Sequence, residues 1–225
     1  MAQTRVGVRP RISPNSTLWN NLLAYYTCDG TPNDALGNFN GTLVNGATYG
    51  TGIINNGFSL DGVNDYIDFP NNTFKPNGDF SVSCWLKYDG STNGWFIQVG
   101  DWTITTGFVL YFYSGTMRFT FGTNPGYYIT TGPSANTNWT HYVFTYVNGE
   151  TQIYENGSLF TTGSPTLSQQ PVYPENCPVR FGSRTNNISN LYKGIIDEVG
   201  FWDRKLTPTE VTELYNSGVG KQYPN

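Results

Sequence analysis

Tyr192-Lys193-Gly194-Ile195-Ile196-Asp197-Glu198-Val199-Gly200-Phe201-Trp202-Asp203-Arg204-Lys205-Leu206-Thr207-Pro208-Thr209-Glu210 carries a β-period segment directly into a helix start. Strict alternation places Ile195, Asp197, Val199 and Phe201 on one face, so a carboxylate among apolar side chains must be paired, hydrogen-bonded or metal-bound. Thr207 reads as an N-cap, Pro208 suits the first helical position, and Glu210 closes a capping box with Thr207. Val211, Leu214 and Tyr215 supply the apolar stripe before Gly218 ends the helix. One short helix is therefore expected after a long series of strands.

Composition leads to the same place. The 225 residues include 26 Gly, 13 Pro, 16 Tyr, 14 Phe and 6 Trp, with only 12% charged, as an aromatic, turn-rich sandwich or barrel requires. From Leu22 to Phe201, short alternating segments are separated by Gly, Asn, Asp and Pro clusters, and no helical pattern precedes Thr207. Asn148-Gly149 and Asn156-Gly157 tolerate positive φ, so Trp139 to Thr161 reads as a three-strand meander. A net charge of −4 gives no general case for nucleic acid or anionic membranes. No apolar run is long enough to cross a bilayer.

Residues 1–21 differ from the rest: they hold Arg5, Arg9 and Arg11, no acidic residue and two prolines. They read as an extended basic arm, followed by one domain over 22–217 and a tail over 218–225. Val6 and Val8 are interrupted by Gly7, Arg9 and Pro10, unlike the continuous apolar stretch of a secretory signal, so synthesis without Sec export is expected. The arm is either a tail without fixed structure or a segment that docks on an acidic or β-edged partner, with the arginines adding steering. Cys28, Cys84 and Cys177 are odd in number and lack metal-ligand spacing. They read as compact core thiols of a chain folded in a reducing compartment, with a Cys28–Cys84 bridge left open. The lone His141, on the face of Val143, Thr145 and Val147, reads as structural. No serine elbow, phosphate-binding glycine loop or Cys/His cluster accompanies it.

An ordered series of segments resembles the LamG-like jelly rolls of the concanavalin A-like lectin/glucanase superfamily. It runs from Leu23-Ala24-Tyr25-Tyr26 with Asp29 through Gly37-Asn38-Phe39-Asn40-Gly41-Thr42-Leu43 to Phe58-Ser59-Leu60-Asp61-Gly62-Val63-Asn64-Asp65-Tyr66-Ile67. Phe80-Ser81-Val82-Ser83-Cys84-Trp85-Leu86, Trp139-Thr140-His141-Tyr142-Val143 with the Asn156-Gly157 hairpin, and Ile195-Ile196-Asp197-Glu198-Val199 with the closing helix complete it. The resemblance implies an all-β, two-sheet antiparallel jelly-roll sandwich with one short C-terminal helix and loops at one rim often used for ligands. It does not imply one function.

Related domains often carry a structural calcium. Asp29, Asn38 and Asp197 are the candidate oxygen ligands, with Asn40 and Asp34 nearby in sequence; the alternative is an Asp197 that accepts backbone N–H groups. Glycosidic cleavage needs two carboxyls facing the scissile bond. Asp197 and Glu198 are adjacent and so expected on opposite faces, while Asp61 and Asp65 read as turn organisers, so no enzyme is expected. Between Asn93 and Gly132, Phe108, Leu110 and Phe112 alternate with Val109, Tyr111 and Tyr113. One face is core and the other is available to stack on sugar rings, with Trp102, Tyr127 and Tyr128 as the rim candidates. The preferred reading is a structural or decoration protein of a phage or virus-like particle. Its arm would hold a capsid or tail protein, and its lectin-like domain would stand at the particle surface, available to glycans. The alternative is a cellular carbohydrate-binding or adhesion module, secreted or surface-displayed by a non-Sec route; a glycoside hydrolase ranks last.

Overall fold

A computed structural model of the chain describes residues 16–76, 78–90, 93–101, 106–123, 126–164 and 171–223. Two antiparallel sheets face each other. The first has eight strands: β1 (Leu22–Tyr26), β3 (Thr48–Thr51), β4 (Asn56–Asp61), β6 (Phe80–Tyr88), β11 (Thr140–Val147), β12 (Glu150–Glu155), β13 (Ser158–Gly163) and β15 (Lys193–Trp202). Its order is β13-β12-β11-β6-β15-β4-β3, with β1 also pairing to β15. The second has seven: β2 (Thr42–Val44), β5 (Tyr66–Phe69), β7 (Gly94–Val99), β8 (Phe108–Tyr113), β9 (Thr116–Gly122), β10 (Tyr127–Ser134) and β14 (Val179–Phe181). These run β10-β9-β8-β7-β14-β5-β2. The expected meander forms β11, β12 and β13, with positive φ at Asn148, Gly149, Asn156 and Gly157 closing both hairpins.

Between the sheets lies an aromatic core that includes Phe58, Phe96, Phe112, Phe119, Phe144 and Phe201. Phe74 stacks on Phe201 with ring centroids 3.7 Å apart. Helix α1 (Pro208–Tyr215) starts as its sequence requires. Thr207 caps it, the capping box with Glu210 is complete, and Pro208 occupies the first turn. Asn216, left-handed at φ 47°, provides the C-cap, two residues before the glycine expected to end the helix. Cys28, Cys84 and Cys177 are free and buried, so no Cys28–Cys84 bridge forms.

A second apolar cluster covers the outer face of the eight-stranded sheet, where Tyr25, Val143 and Trp202 meet Val211 and Leu214 of α1 together with Leu18. This redraws both expected boundaries. The Trp202 indole N–H donates to the Leu18 carbonyl at 2.7 Å, and the Arg204 guanidinium donates to the carbonyls of Thr17 and Leu18. Ser16 and Thr17 donate to Glu213 and Glu210 of the helix. Residues 16–21 therefore pack with the sandwich, and Arg5, Arg9 and Arg11 of the expected arm lie outside the described residues. At the other end Tyr223 packs against Trp19, so the tail is also docked as far as residue 223. Burial alone would raise the Glu210 carboxyl, but hydrogen bonds from Arg204, Thr207 and Thr17 hold it down at about 2.

The opening motif departs from strict alternation at one point. Register between β15 and β6 shifts between Asp197 and Gly200, and Glu198 has φ 49°, the signature of a β-bulge. Ile196, Val199 and Phe201 consequently point into the inter-sheet core. Asp197 leaves that face, and its carboxylate reaches the turn between β3 and β4. His141 lies on the face of Val143, in the outer layer, with its Nε2 2.8 Å from the Ser83 hydroxyl and its buried Nδ1 without a partner among the described residues. The ring is tilted against Trp85 and stacked on Tyr215. Burial pushes it down to about 3, so it stays neutral.

Deleting residues 1–15 removes none of these contacts and is expected to leave the denaturation midpoint unchanged. Leu18→Ala empties a fully buried position and is expected to cost about 2–5 kcal/mol. Urea unfolding of the two variants beside the full chain checks both; equal midpoints for Leu18→Ala and wild type would detach residues 16–21 from the fold.

Candidate functional site

On the outer face of the seven-stranded sheet, a groove of about 280 Å³ is lined by Trp95, Tyr111, Tyr113, Arg118, Tyr127, Ile129, Arg184 and Asn190. Strand register assembles it. Trp95 on β7 pairs with Tyr111 on β8, and Tyr111 pairs with Arg118 on β9, so three side chains form a row across the sheet. Alternation sends Met117, Phe119 and Phe121 of β9 inward, to the core, and leaves Arg118 outside. Trp95, Val109 and Tyr111 form a small apolar cluster of their own, the floor of the groove. Tyr113 and Tyr127 are 45% and 54% exposed and stand as its walls.

Both guanidinium groups are held by rings. Arg118 lies 4.5 Å from the Tyr113 centroid and Arg184 lies 4.9 Å from that of Trp95, within range of cation–π attraction. The Nε of each is buried and has no hydrogen-bond partner among the described residues. The segment carrying Arg184 is fixed from below. Gln98 of β7 accepts from the Thr185 N–H and donates to its hydroxyl, while Arg180 donates to the Arg184 carbonyl at 2.7 Å. The Arg184 N–H donates to the Ser189 carbonyl. Arg180 itself is paired with Asp68. The groove thus has a buried aromatic base, two exposed tyrosine walls and two positioned cations, and among the described residues no carboxylate lines it.

A second polar centre lies at one rim, built by the bulge. Asp197 Oδ2 accepts from the N–H groups of Ile53 and Ile54 at 2.8 and 3.2 Å, and its Oδ1 accepts from the N–H of Glu198. Gly52 is obligatory beside it, since a Cβ there would lie 2.4 Å from Asp197 Oδ2 and 2.6 Å from a backbone carbon. Glu198 accepts from the Tyr25 hydroxyl and from Gln222, which also donates to Asp29. Asp29 accepts further from the Asn55 side chain and the Asn56 N–H. Among the described residues no lysine or arginine is paired with any of the three carboxylates. Burial and the charge of Asp29 push Asp197 up to about 7 despite its N–H donors. Burial and the adjoining Asp197 push Glu198 up to about 9. The bulge thus removes the expected separation of Asp197 and Glu198.

Of the residues singled out from sequence, Asp29 and Asp197 share this rim, while Asn38 does not. Its N–H donates to Asp34, which also accepts from Tyr25 and Leu36 and orders that loop. Asp65 accepts from Gly46 and Asp61, the turn-organising role expected of it. Tyr127 lines the groove, but Tyr128 points the other way and stacks on Phe121 of the core at 5.7 Å. Trp102 lies outside the described residues. Arg118 and Arg184, the two cations of the groove, were not foreseen; the alternation of Met117-Arg118-Phe119 contains the signal for the first.

The chain belongs to the concanavalin A-like lectin/glucanases superfamily, whose Laminin_G_3 family matches residues 61–212. Domain 4 of AbnA, a GH43 extracellular arabinanase from Geobacillus stearothermophilus solved in complex with arabinotriose, superposes with a TM-score of 0.72. It is 24% identical, over 89% of this chain and 98% of that one. The binding domain of botulinum neurotoxin DC, solved in complex with rat synaptotagmin II, gives a TM-score of 0.69 at 16% identity, over 88% of this chain and 52% of that one. Adhesion G-protein coupled receptor D1 of Homo sapiens is 30% identical over 84 residues, which are 37% of this chain and 10% of the receptor. The chain therefore spans about a tenth of the curated relatives it matches.

Raised carboxyl pKa values fix the sign of a pH effect. A proton held more tightly in the folded chain than in the unfolded one stabilises below the unfolded carboxyl range, and this contribution is lost as pH rises through the folded value. In EDTA-containing buffer, stability is expected to fall from about pH 5 to pH 9, by up to about 1.4 kcal/mol per pH unit for each proton involved. Glu198→Gln keeps a partner for Tyr25, whose hydroxyl also reaches the Lys221 carbonyl, and is expected to flatten this decline. Urea titrations across that range check it; an unchanged slope would place the titrating group elsewhere.

Proposed function

We propose that this chain is a non-enzymatic carbohydrate-binding module whose glycan platform is the aromatic groove across β7, β8, β9 and β10. The observation that carries the reading is the pair of exposed rings, Tyr113 and Tyr127, that wall a groove whose base is the buried Trp95 and Tyr111 beside Arg118. Aromatic faces stack on the apolar faces of sugar rings, and the neighbouring donors orient hydroxyl groups. The groove's lining has no acid, whereas hydrolysis needs two carboxyls across the scissile bond. The nearest thing to such a pair, Asp197 and Glu198, is buried and on the other sheet. That a domain of this fold has been solved with arabinotriose supports the fold's capacity for saccharides.

Display on a phage or virus-like particle, with residues 1–15 holding a capsid or tail protein, is the finer form of the proposal and rests on the basic composition of that segment. Repetition on a particle would raise the avidity of a shallow site by ~10²- to 10⁴-fold. A structural calcium is also proposed, at the rim. Among the described residues no three acidic, Cys or His side chains are grouped as a metal would need, and Asp197 accepts three N–H groups, so the proposal rests on Asp29 and Asp197 sharing one rim without countercharge from a described side chain, with carbonyls and water left to complete the shell. Bound there, calcium would supply that countercharge, and its addition at pH 8 would raise the thermal midpoint of the wild type more than that of Glu198→Gln.

A multivalent glycan array separates platform from scaffold. Tyr113→Ala/Tyr127→Ala removes two exposed rings and is expected to fold normally while losing about tenfold or more in binding. Binding undiminished in the double variant would move the site off this face. Native mass spectrometry of the complexes formed by the full chain and by the chain lacking residues 1–15 tests the particle reading; equal incorporation of both would sink it.

A further inference from the structure

From the arrangement of its two arginines we infer that the groove selects saccharides bearing a carboxylate, over neutral ones; this rests on the groove being the glycan platform. Among the described lysines and arginines, Arg180, Lys193, Arg204, Lys205 and Lys221 each meet a carboxylate, and Lys75 donates to the Pro174 carbonyl. Arg118 and Arg184, like the exposed Lys87, meet no carboxylate among the described residues, yet both are part-buried. They face a groove without acidic residues, in a chain whose net charge is −4.

Their contacts with the protein use the guanidinium face and not its edge. A ring beneath each guanidinium holds the plane without consuming an N–H, because cation–π attraction is directed at the π-cloud. The Nε of each is buried and has no partner among the described residues, a costly state for a charged donor that a purely structural role would not explain. Burial closes the Nε side to a ligand, but both residues are part-exposed, so the edge left to a ligand is the Nη1–Nη2 end, also a planar two-donor fork whose geometric complement is a carboxylate. Arg184 is also preorganised through Gln98, Arg180 and Ser189, so little entropy is lost on engaging it. The exposed rings beside the forks are Tyr113 and Tyr127, a surface for a ring and not for an extended acidic peptide, whose backbone would need hydrogen-bonding edges. An acidic sugar meets both demands at once, with its ring on an exposed tyrosine and its carboxylate on a fork.

Titration calorimetry with the full chain tests this. The probes are trigalacturonate and 3′-sialyllactose, their neutral counterparts galactotriose and lactose, a sulfated lactose and a polyglutamate peptide. At least one carboxylated sugar is expected to bind tenfold or more tightly than its neutral counterpart. Arg118→Gln or Arg184→Gln is expected to cost about 10- to 100-fold for that sugar alone, with Lys in either position restoring little. Equal binding of acidic and neutral sugars, indifferent to both arginines yet lost in Tyr113→Ala/Tyr127→Ala, would overturn the selectivity and leave the platform standing. Silence from every sugar at millimolar concentration would overturn both. Preference for the sulfated sugar, or polyglutamate binding with the same arginine dependence, would overturn the carboxylated saccharide as occupant.

Discussion

Strand β15 has to satisfy three neighbours, and the bulge at Asp197–Glu198 is what allows it. Along one edge it pairs with β6. Along the other, residues 193–196 pair with β4 and residues 199–202 pair with β1, so the partner changes at the point where the register slips. A regular strand would carry Asp197, Val199 and Phe201 to the same face. The extra residue instead returns Val199 and Phe201 to the inter-sheet core and leaves the carboxylate free to tie down the β3–β4 turn. The bulge thus sets the core register, closes the turn and gathers the acidic rim. Its cost is the burial of two neighbouring carboxylates, which the N–H and O–H donors around them offset only in part.

Much of this architecture was legible because it follows from local rules. The capping box of α1, the two Asn-Gly hairpins and most strands appear where propensity and alternation put them. Strand β3, Thr48-Tyr49-Gly50-Thr51, carries no strand signal of its own, since it is short, glycine-containing and set by pairing with β4. The bulge escaped for a related reason. Nothing in Ile195 to Phe201 breaks the period of two, and only competition between β1 and β4 for one edge requires an added residue. Leu18 and Trp19 were read as arm because a short apolar pair after a basic segment carries no signal of a remote partner. That partner is Trp202, far away in sequence.

The groove was half legible. Alternation of Val109, Tyr111 and Tyr113 against Phe108, Leu110 and Phe112 correctly left an aromatic face outside the core. It could not distinguish Tyr127 from Tyr128, whose roles depend on the phase of β10 against β9, nor find Arg184, which comes from a loop that the sheet order returns to Trp95. Pairwise register, and not composition, made a row from residues on three strands.

The two outer faces of the sandwich have opposite fates, and the difference bears on function. The eight-stranded sheet is closed by α1, by residues 16–21 and by the chain's last described residues, so its exterior became a second apolar core. Among the described residues nothing comparable covers the seven-stranded sheet over β7 to β10, which carries Trp95 and Tyr111 on that side. Had selection acted only on stability, this face would favour short polar side chains or paired charges. It presents stacked guanidiniums whose buried Nε atoms lack acceptors, each left unsatisfied at a cost on the order of 1–3 kcal/mol. A rigid, partly desolvated surface with unspent donors is poor economy for folding, and it is the arrangement that lowers the entropic cost of binding a ligand.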